Sequence, residues 1–188
     1  MKNTKEDLWT IKICDLLKQE LDTTKYDIVC FERIPYSVSI NNYSKDNTNI
    51  DIKRYEVDLL IKEKKDSYSI PRLIIESKYG KITTHDAITY SNKAKAHKEL
   101  YNGLRYGLMI GNSEEKGITP RIVNHGSNFD FMFVFQNETP TKQEWETFVN
   151  VIKRNLDISN KLENMVIDKG KKDREIYYCI EKNMEFYN

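Results

Sequence analysis

The chain has 188 residues, enough for one domain whose core needs neither disulfides nor a structural metal. Charged residues make up 31% and hydrophobic ones 39%, with seven glycines and four prolines, which excludes the disordered, collagenous and membrane classes. The formal net charge is +1, so any nucleic-acid surface must be local.

Cys14, Cys30 and Cys179 form no CxxC pair and read as reduced thiols of a cytoplasmic protein. The opening MKNTKEDLWTIK is too charged for a signal peptide. No apolar run approaches the roughly 18 residues of a membrane span. Neither secretion nor membrane insertion is expected.

Leu8, Trp9, Ile13, Leu16, Leu17 and Leu21 recur at helical spacing, which predicts a helix from Glu6 to Leu21 capped by Thr4 or Asn3. The period shortens from Ile28 to Ile40, and NNYSKDNTN (Asn41 to Asn49) reads as a polar loop. The runs RYEVDLLIKE and PRLIIESKYG, joined by KKDSYS, predict an antiparallel hairpin. A second helix is expected from Thr83 or Thr84 to Tyr101, stopped at Asn102-Gly103. RYGLMIG reads as a buried strand, Asn112 to Asn128 as an exposed loop, and FDFMFVFQ as another buried strand. TKQEWETFVNVIKRNLDI has helical spacing, while IYYCIEKNMEFY is ambiguous between strand and helix. This order predicts an α/β fold: a mixed central sheet flanked by helices, in one domain spanning 1–188.

Acid-x-lysine triplets are common by chance, and with 29 acidic residues and 23 lysines four occur. Asp51/Lys53, Glu63/Lys65 and Glu114/Lys116 read as loop or solvated strand-end pairs. Glu76-Ser77-Lys78 alone continues directly from an apolar strand, Leu73-Ile74-Ile75, and alternation puts Glu76 and Lys78 on one face. Asp58 interrupts another apolar run, where an unpaired carboxylate is costly. Hairpin pairing would bring Asp58 near Glu76. Two such acids repel, and a hard divalent cation relieves them; magnesium, with manganese as substitute, suits few oxygen ligands and a phosphate. A nearby lysine can orient or help deprotonate the attacking water and stabilise negative charge on the phosphorane. This is the equipment of phosphodiester hydrolysis.

Asp58, a 17-residue interval and then Glu76-Ser77-Lys78, with the leading helix, hairpin, second helix and RYGLMIG, resemble the PD-(D/E)xK nuclease superfamily. Val57 stands where the family's name has proline. The resemblance covers roughly Glu6 to Gly111. It implies a restriction endonuclease-like core (αβββαβ, about 5–111) followed by an extension, 112–188, with a strand and a helix. It also implies Asp58, Glu76 and Ser77 as metal ligands, Lys78 as the catalytic lysine, and a further glutamate from the first helix, Glu6 or in its place Glu20. The activity implied is that of a magnesium-dependent DNA endonuclease, in the first instance a type II restriction enzyme. A homodimer on double-stranded DNA is expected, since cutting both strands needs two sites. The alternatives are a Holliday-junction or repair nuclease and an inactive nuclease-fold module.

Tyr90 and Lys93 on the second helix, and Arg121 and His125 in the long loop, are the residues expected to touch DNA. His85-Asp86 lacks the upstream histidine of HD-type phosphohydrolases. No Walker loop, GxGxxG or GxSxG is present. Trp145, Phe148, Val149 and Ile152 form one broad apolar face, for the core or for a dimer contact.

Overall fold

The computed structural model describes residues 4–45, 47–113 and 117–167, of which 166 and 167 are described in backbone only. The elements are α1 (Lys5–Glu20), β1 (Tyr26–Asn42), β2 (Asn49–Lys64), β3 (Ser69–Tyr79), α2 (Thr84–Leu100), β4 (Arg105–Gly111), α3 (Pro120–His125), β5 (Phe131–Val134) and α4 (Lys142–Ile167). Strands β1 to β5 lie side by side in chain order. The first three form an antiparallel meander, while β3, β4 and β5 run parallel. Helix α2 makes the first parallel crossover and α3 lies in the second, as parallel strands require. This is the expected mixed α/β sheet flanked by helices, αβββαβ and then a strand and a helix. Among the described residues no helix is long and apolar enough to cross a membrane.

Local chemistry fixes where the two main helices begin. Thr4 and Asp7 form a reciprocal capping box at α1, and Thr83 and Asp86 form one at α2. The stripe Trp9, Ile13 and Leu17 of α1 packs with Phe148, Ile152 and Leu156 of α4 against Leu59, Leu73 and Ile75. On the other face Ala87 and Ala94 of α2 and Ile122 of α3 cover Leu60, Ile74 and Leu108.

Several expectations are corrected. The loop from Asn112 to Asn128 contains α3, because fully buried Ile122 anchors a helical turn to the second core. Only Phe131–Val134 of FDFMFVFQ is strand; Phe129 and Phe135 flank it and are buried in different cores. The polar loop before β2 shrinks to a tip, since β1 and β2 pair as far as Asn42 and Asn49. The apolar face of α4 belongs to this chain's own core, with Trp145 packed at its edge, so it is no dimer surface. Glu63 is no solvated strand end. It is 7% exposed and accepts hydrogen bonds from buried Arg72, which also reaches Glu163. Glu114, Lys116, Cys179 and IYYCIEKNMEFY lie outside the described residues.

One irregularity bears on the site. Val57 joins the core under α2 and Leu59 the core under α1, although residues two apart on a regular strand share a face. Between them the β1–β2 ladder passes from Cys30↔Leu59 to Glu32↔Val57 without pairing Phe31 and Asp58. Phe31 has φ 57°, a backbone region costly for an aromatic residue. Both strands turn over at Asp58.

The close approach of α1 to the sheet gives the first prediction. A Cβ on Gly111 would stand 2.3 Å from the Trp9 indole. That ring is held between Tyr79 and Phe135, and its Nε1 donates to the Glu138 carbonyl at 3.1 Å, so it has little room to yield. Gly111→Ala is expected to destabilise the fold by about 1–3 kcal/mol. Urea titration should show a lower midpoint at unchanged slope.

Candidate active site

The antiparallel pairing of β2 and β3 begins at Leu59↔Ile75, and the next facing positions are Asp58 and Glu76. There the strands part: β3 continues beside β4, with Glu76 opposite Leu108, while β2 keeps only β1. The two acids therefore sit in the fork. Asp58 is half-buried and its Oδ2 accepts the Ser77 N–H at 2.8 Å. Glu76 is fully buried. Its Oε1 accepts the Tyr106 hydroxyl at 2.5 Å and lies 3.6 Å from Lys93 Nζ. Its Oε2 is buried without a hydrogen-bond partner. Burial, and then the neighbouring Asp58 charge, push the Glu76 carboxyl up to about 8, against the opposing pull of Lys93 and Tyr106.

Lys78 leaves the same face two residues on. Its Nζ lies 3.4 Å from Glu6 Oε1, 3.7 Å from Asp86 Oδ1 and 5.6 Å from the centre of the Tyr90 ring. Burial alone would lower its pKa, but Tyr90, Glu6 and Asp86 more than offset this and hold it above the usual lysine range. A lysine so held stays charged at neutral pH and acts as a hydrogen-bond donor. Tyr90 stands at the centre of the group. Burial raises its phenol, Lys78 lowers it, and the fields of Asp58 and Glu76 raise it further.

Helix α1 reaches the fork through a tether. Thr10 Oγ1 lies 2.7 Å from the buried Ser77 Oγ and 2.8 Å from the Glu6 carbonyl oxygen. The tether sets Glu6 over the end of β3, where its second oxygen accepts the Tyr79 N–H at 3.1 Å. Glu6 thus engages the lysine and the strand backbone. Glu20 lies about 21 Å further along the helix, where its Oε1 accepts the Trp145 indole N–H at 3.1 Å. It is not part of this group. The Ser77 hydroxyl faces α1, so Ser77 could offer a cation only its main-chain carbonyl.

The structure redefines Lys93, which is no free surface cation: its Nζ reaches Glu76 and, at 3.3 Å, the Glu56 carbonyl. Arg121 and His125 are exposed on α3. Arg121 Nη2 lies 3.5 Å from the Ile82 carbonyl, on the connection between β3 and α2. Tyr106 and Asp86 are the residues that reading the sequence missed as members of the group. A tyrosine inside a fully buried strand needs a partner for its hydroxyl, and that is the signal Tyr106 carried.

Among the described residues no group of three or more His, Cys, Asp or Glu side chains is arranged to hold a metal ion. Two carboxylates do fit a hard cation of the magnesium kind, which keeps several waters and completes its shell with phosphate oxygens. The buried, unpartnered Glu76 Oε2 beside Asp58 is the observation that favours this.

No family model and no curated protein matches the chain. A solved structure, the native BbvCI A2B2 tetramer at low resolution, is similar to it at 15% identity and a TM-score of 0.46. The similarity covers 88% of this chain and 66% of that one, so this chain spans just under two thirds of its length. A likeness of that size does not bear on the chemistry of the site.

The strained carboxyl makes stability depend on pH. Unfolded, Glu76 loses its proton near 4.5; folded, it keeps it to about 8. Between these values the folded chain binds more protons than the unfolded one, so stability falls as pH rises through the window. In a chelating buffer Glu76→Gln is expected to flatten that decline and to melt several degrees above the parent at pH 8. Thermal unfolding at pH 5 and pH 8 checks both; equal slopes would mean that the carboxyl is not strained.

Proposed function

We propose that this chain is a magnesium-dependent DNA endonuclease. The observation that carries the reading is the pair of carboxylates Asp58 and Glu76 at the fork of β2 and β3, with Lys78 leaving the same face of β3 and Tyr90 within the fields of all three. A fully buried Glu76 forced against Asp58 is expensive for an ordinary strand-end ion pair and useful for holding a cation.

Asp58, Glu76 and the Ser77 carbonyl would hold the ion. When bound, magnesium neutralises the paired acids and stabilises charge on the scissile phosphate as a Lewis acid. The chain's own groups do the rest. Tyr106 and Lys93 fix one oxygen of Glu76 and leave the other for the ion. Lys78, kept charged, donates to a phosphate oxygen or to the attacking water and stabilises charge that builds up during displacement. Glu6, Asp86 and the Tyr90 ring limit where its ammonium can point. Arg121, exposed beside the β3–α2 connection, would meet the phosphate backbone there.

The biological role we assign is type II restriction by a homodimer that cuts both strands of a duplex. The site chemistry serves a junction-resolving or repair nuclease equally well, and substrate choice separates them. Purified protein should convert plasmid to discrete fragments only when magnesium or manganese is present. Preference for branched DNA would replace restriction by resolution, and no cleavage of any DNA would sink the reading.

Lys78→Ala and Asp58→Ala are each expected to slow cleavage by about 10²–10³-fold or more, with unchanged far-UV circular dichroism. Near-parental cutting by either variant would show that the chemistry lies elsewhere. For binding, Arg121→Ala should lower the slope of log affinity against log salt by about one unit if it pairs with a phosphate. Identical slopes would remove it from the interface.

A further inference from the structure

Beyond the fork, β2 loses β3 and continues with β1 as a two-stranded ribbon ending at Asn42 and Asn49. Its register sets Val38 opposite Ile52 and Ile40 opposite Ile50, and alternation puts all four on one face. Ser37 opposite Lys53 and Ser39 opposite Asp51 occupy the other. An extra residue at Tyr36 shifts the register and marks where this pattern begins. Isolated two-stranded ribbons are marginal in water, and one displaying four aliphatic side chains is worse than marginal.

We infer that this aliphatic face is the contact by which two copies of the chain associate. The inference rests on the proposed nuclease only for the expectation of two copies; the surface itself is argued from the ribbon. Val38, Ile40, Ile50 and Ile52 are 50%, 64%, 53% and 41% exposed, on the order of 400 Å² together, comparable to the largest apolar patch of an ordinary chain, which is often functional. Packing two such faces together removes roughly twice that from water, at the weak end of interface sizes, which is why association is sought at tens of micromolar. A twofold contact uses one patch twice, so an aliphatic face can be covered by its own copy with no second surface of different chemistry. Charge argues against DNA as the occupant. From Ser37 to Arg54 the sequence carries Lys45, Lys53 and Arg54 against Asp46 and Asp51, and a face tracking phosphates needs a positive stripe where this one has isoleucines.

Sedimentation velocity at tens of micromolar, without DNA and with a chelator, tests the contact. The parent is expected at twice the 22.3 kDa chain mass. Ile40→Lys and Ile50→Lys should each weaken association at least tenfold and sediment as monomers with unchanged far-UV spectra. Ser39→Lys, on the opposite face beside Asp51, should remain dimeric. If a lysine variant fails to fold, the parent's melting temperature decides: it rises with protein concentration for a dimer and is constant for a monomer. A monomeric parent, dimeric lysine variants, or Ser39→Lys dissociating as readily as Ile40→Lys would each overturn the assignment. So would an Ile40→Lys chain that keeps the parent's mass but loses affinity for duplex DNA, which would make the face a DNA contact. The two readings fail separately. A dimer that cuts no DNA refutes the nuclease and spares the contact, while a monomer that nicks plasmid does the reverse.

Discussion

Asp58 and Glu76 are two carboxylates held side by side where water is largely excluded. Left to themselves they would separate, or one would keep its proton, and the neutral state of Glu76 up to about pH 8 is the second outcome. Neither acid can move away. Asp58 is bound to the Ser77 N–H and Glu76 to the Tyr106 hydroxyl, and each comes from a strand buried in the cores on both faces. Much of the surrounding structure serves this enforced proximity: Tyr106 stands on the neighbouring strand, Lys93 reaches down from α2, and the two hydrophobic cores resist the repulsion between them.

The cations around the pair divide the work by position. Lys93 is committed to Glu76 and to a main-chain carbonyl, so its charge offsets the pair from one side. Lys78 is restrained by Glu6, Asp86 and the Tyr90 ring, groups other than the pair. His97 could have supplied a third positive charge beside Tyr106, on which its ring stacks. Burial instead lowers its pKa to about 4, so it is neutral at working pH and acts as packing between Tyr106 and the Tyr36–Tyr55 stack.

How much of this was legible in the sequence follows from the range of each signal. The helices, the meander and the triplet Glu76-Ser77-Lys78 are local patterns, and the structure holds each of them. Asp58 facing Glu76 followed from hairpin pairing, the shortest non-local contact available to two consecutive strands. Tyr106 and Asp86 were not assigned to the group, because their places depend on a parallel crossover and on where α2 starts over the sheet. Lys93 was read as a DNA-facing lysine for the same reason, since helical spacing gives a face but not what that face looks down upon. Glu63 illustrates the limit in the core, where its burial depends on Arg72 and on Glu163 of a helix 100 residues away.

Least legible of all was the twist that sets Asp58 in the fork. On a regular strand Val57, Asp58 and Leu59 would alternate strictly, and residues 57 and 59 would share a core. Here they occupy opposite cores, the ladder passes over the Phe31–Asp58 position, and Phe31 adopts a backbone conformation that aromatic residues avoid. No composition or periodicity marks Phe31 for that conformation; glycine would mark it, and the chain has none there. The strained residue lies across the ladder from the acid itself, between the regular pairs Cys30↔Leu59 and Glu32↔Val57. Strain that survives only because its neighbours over-determine it tends to gather at functional sites. Its position opposite Asp58, and not elsewhere in the 17-residue strand, ties the backbone irregularity to the same fork that brings the two carboxylates together.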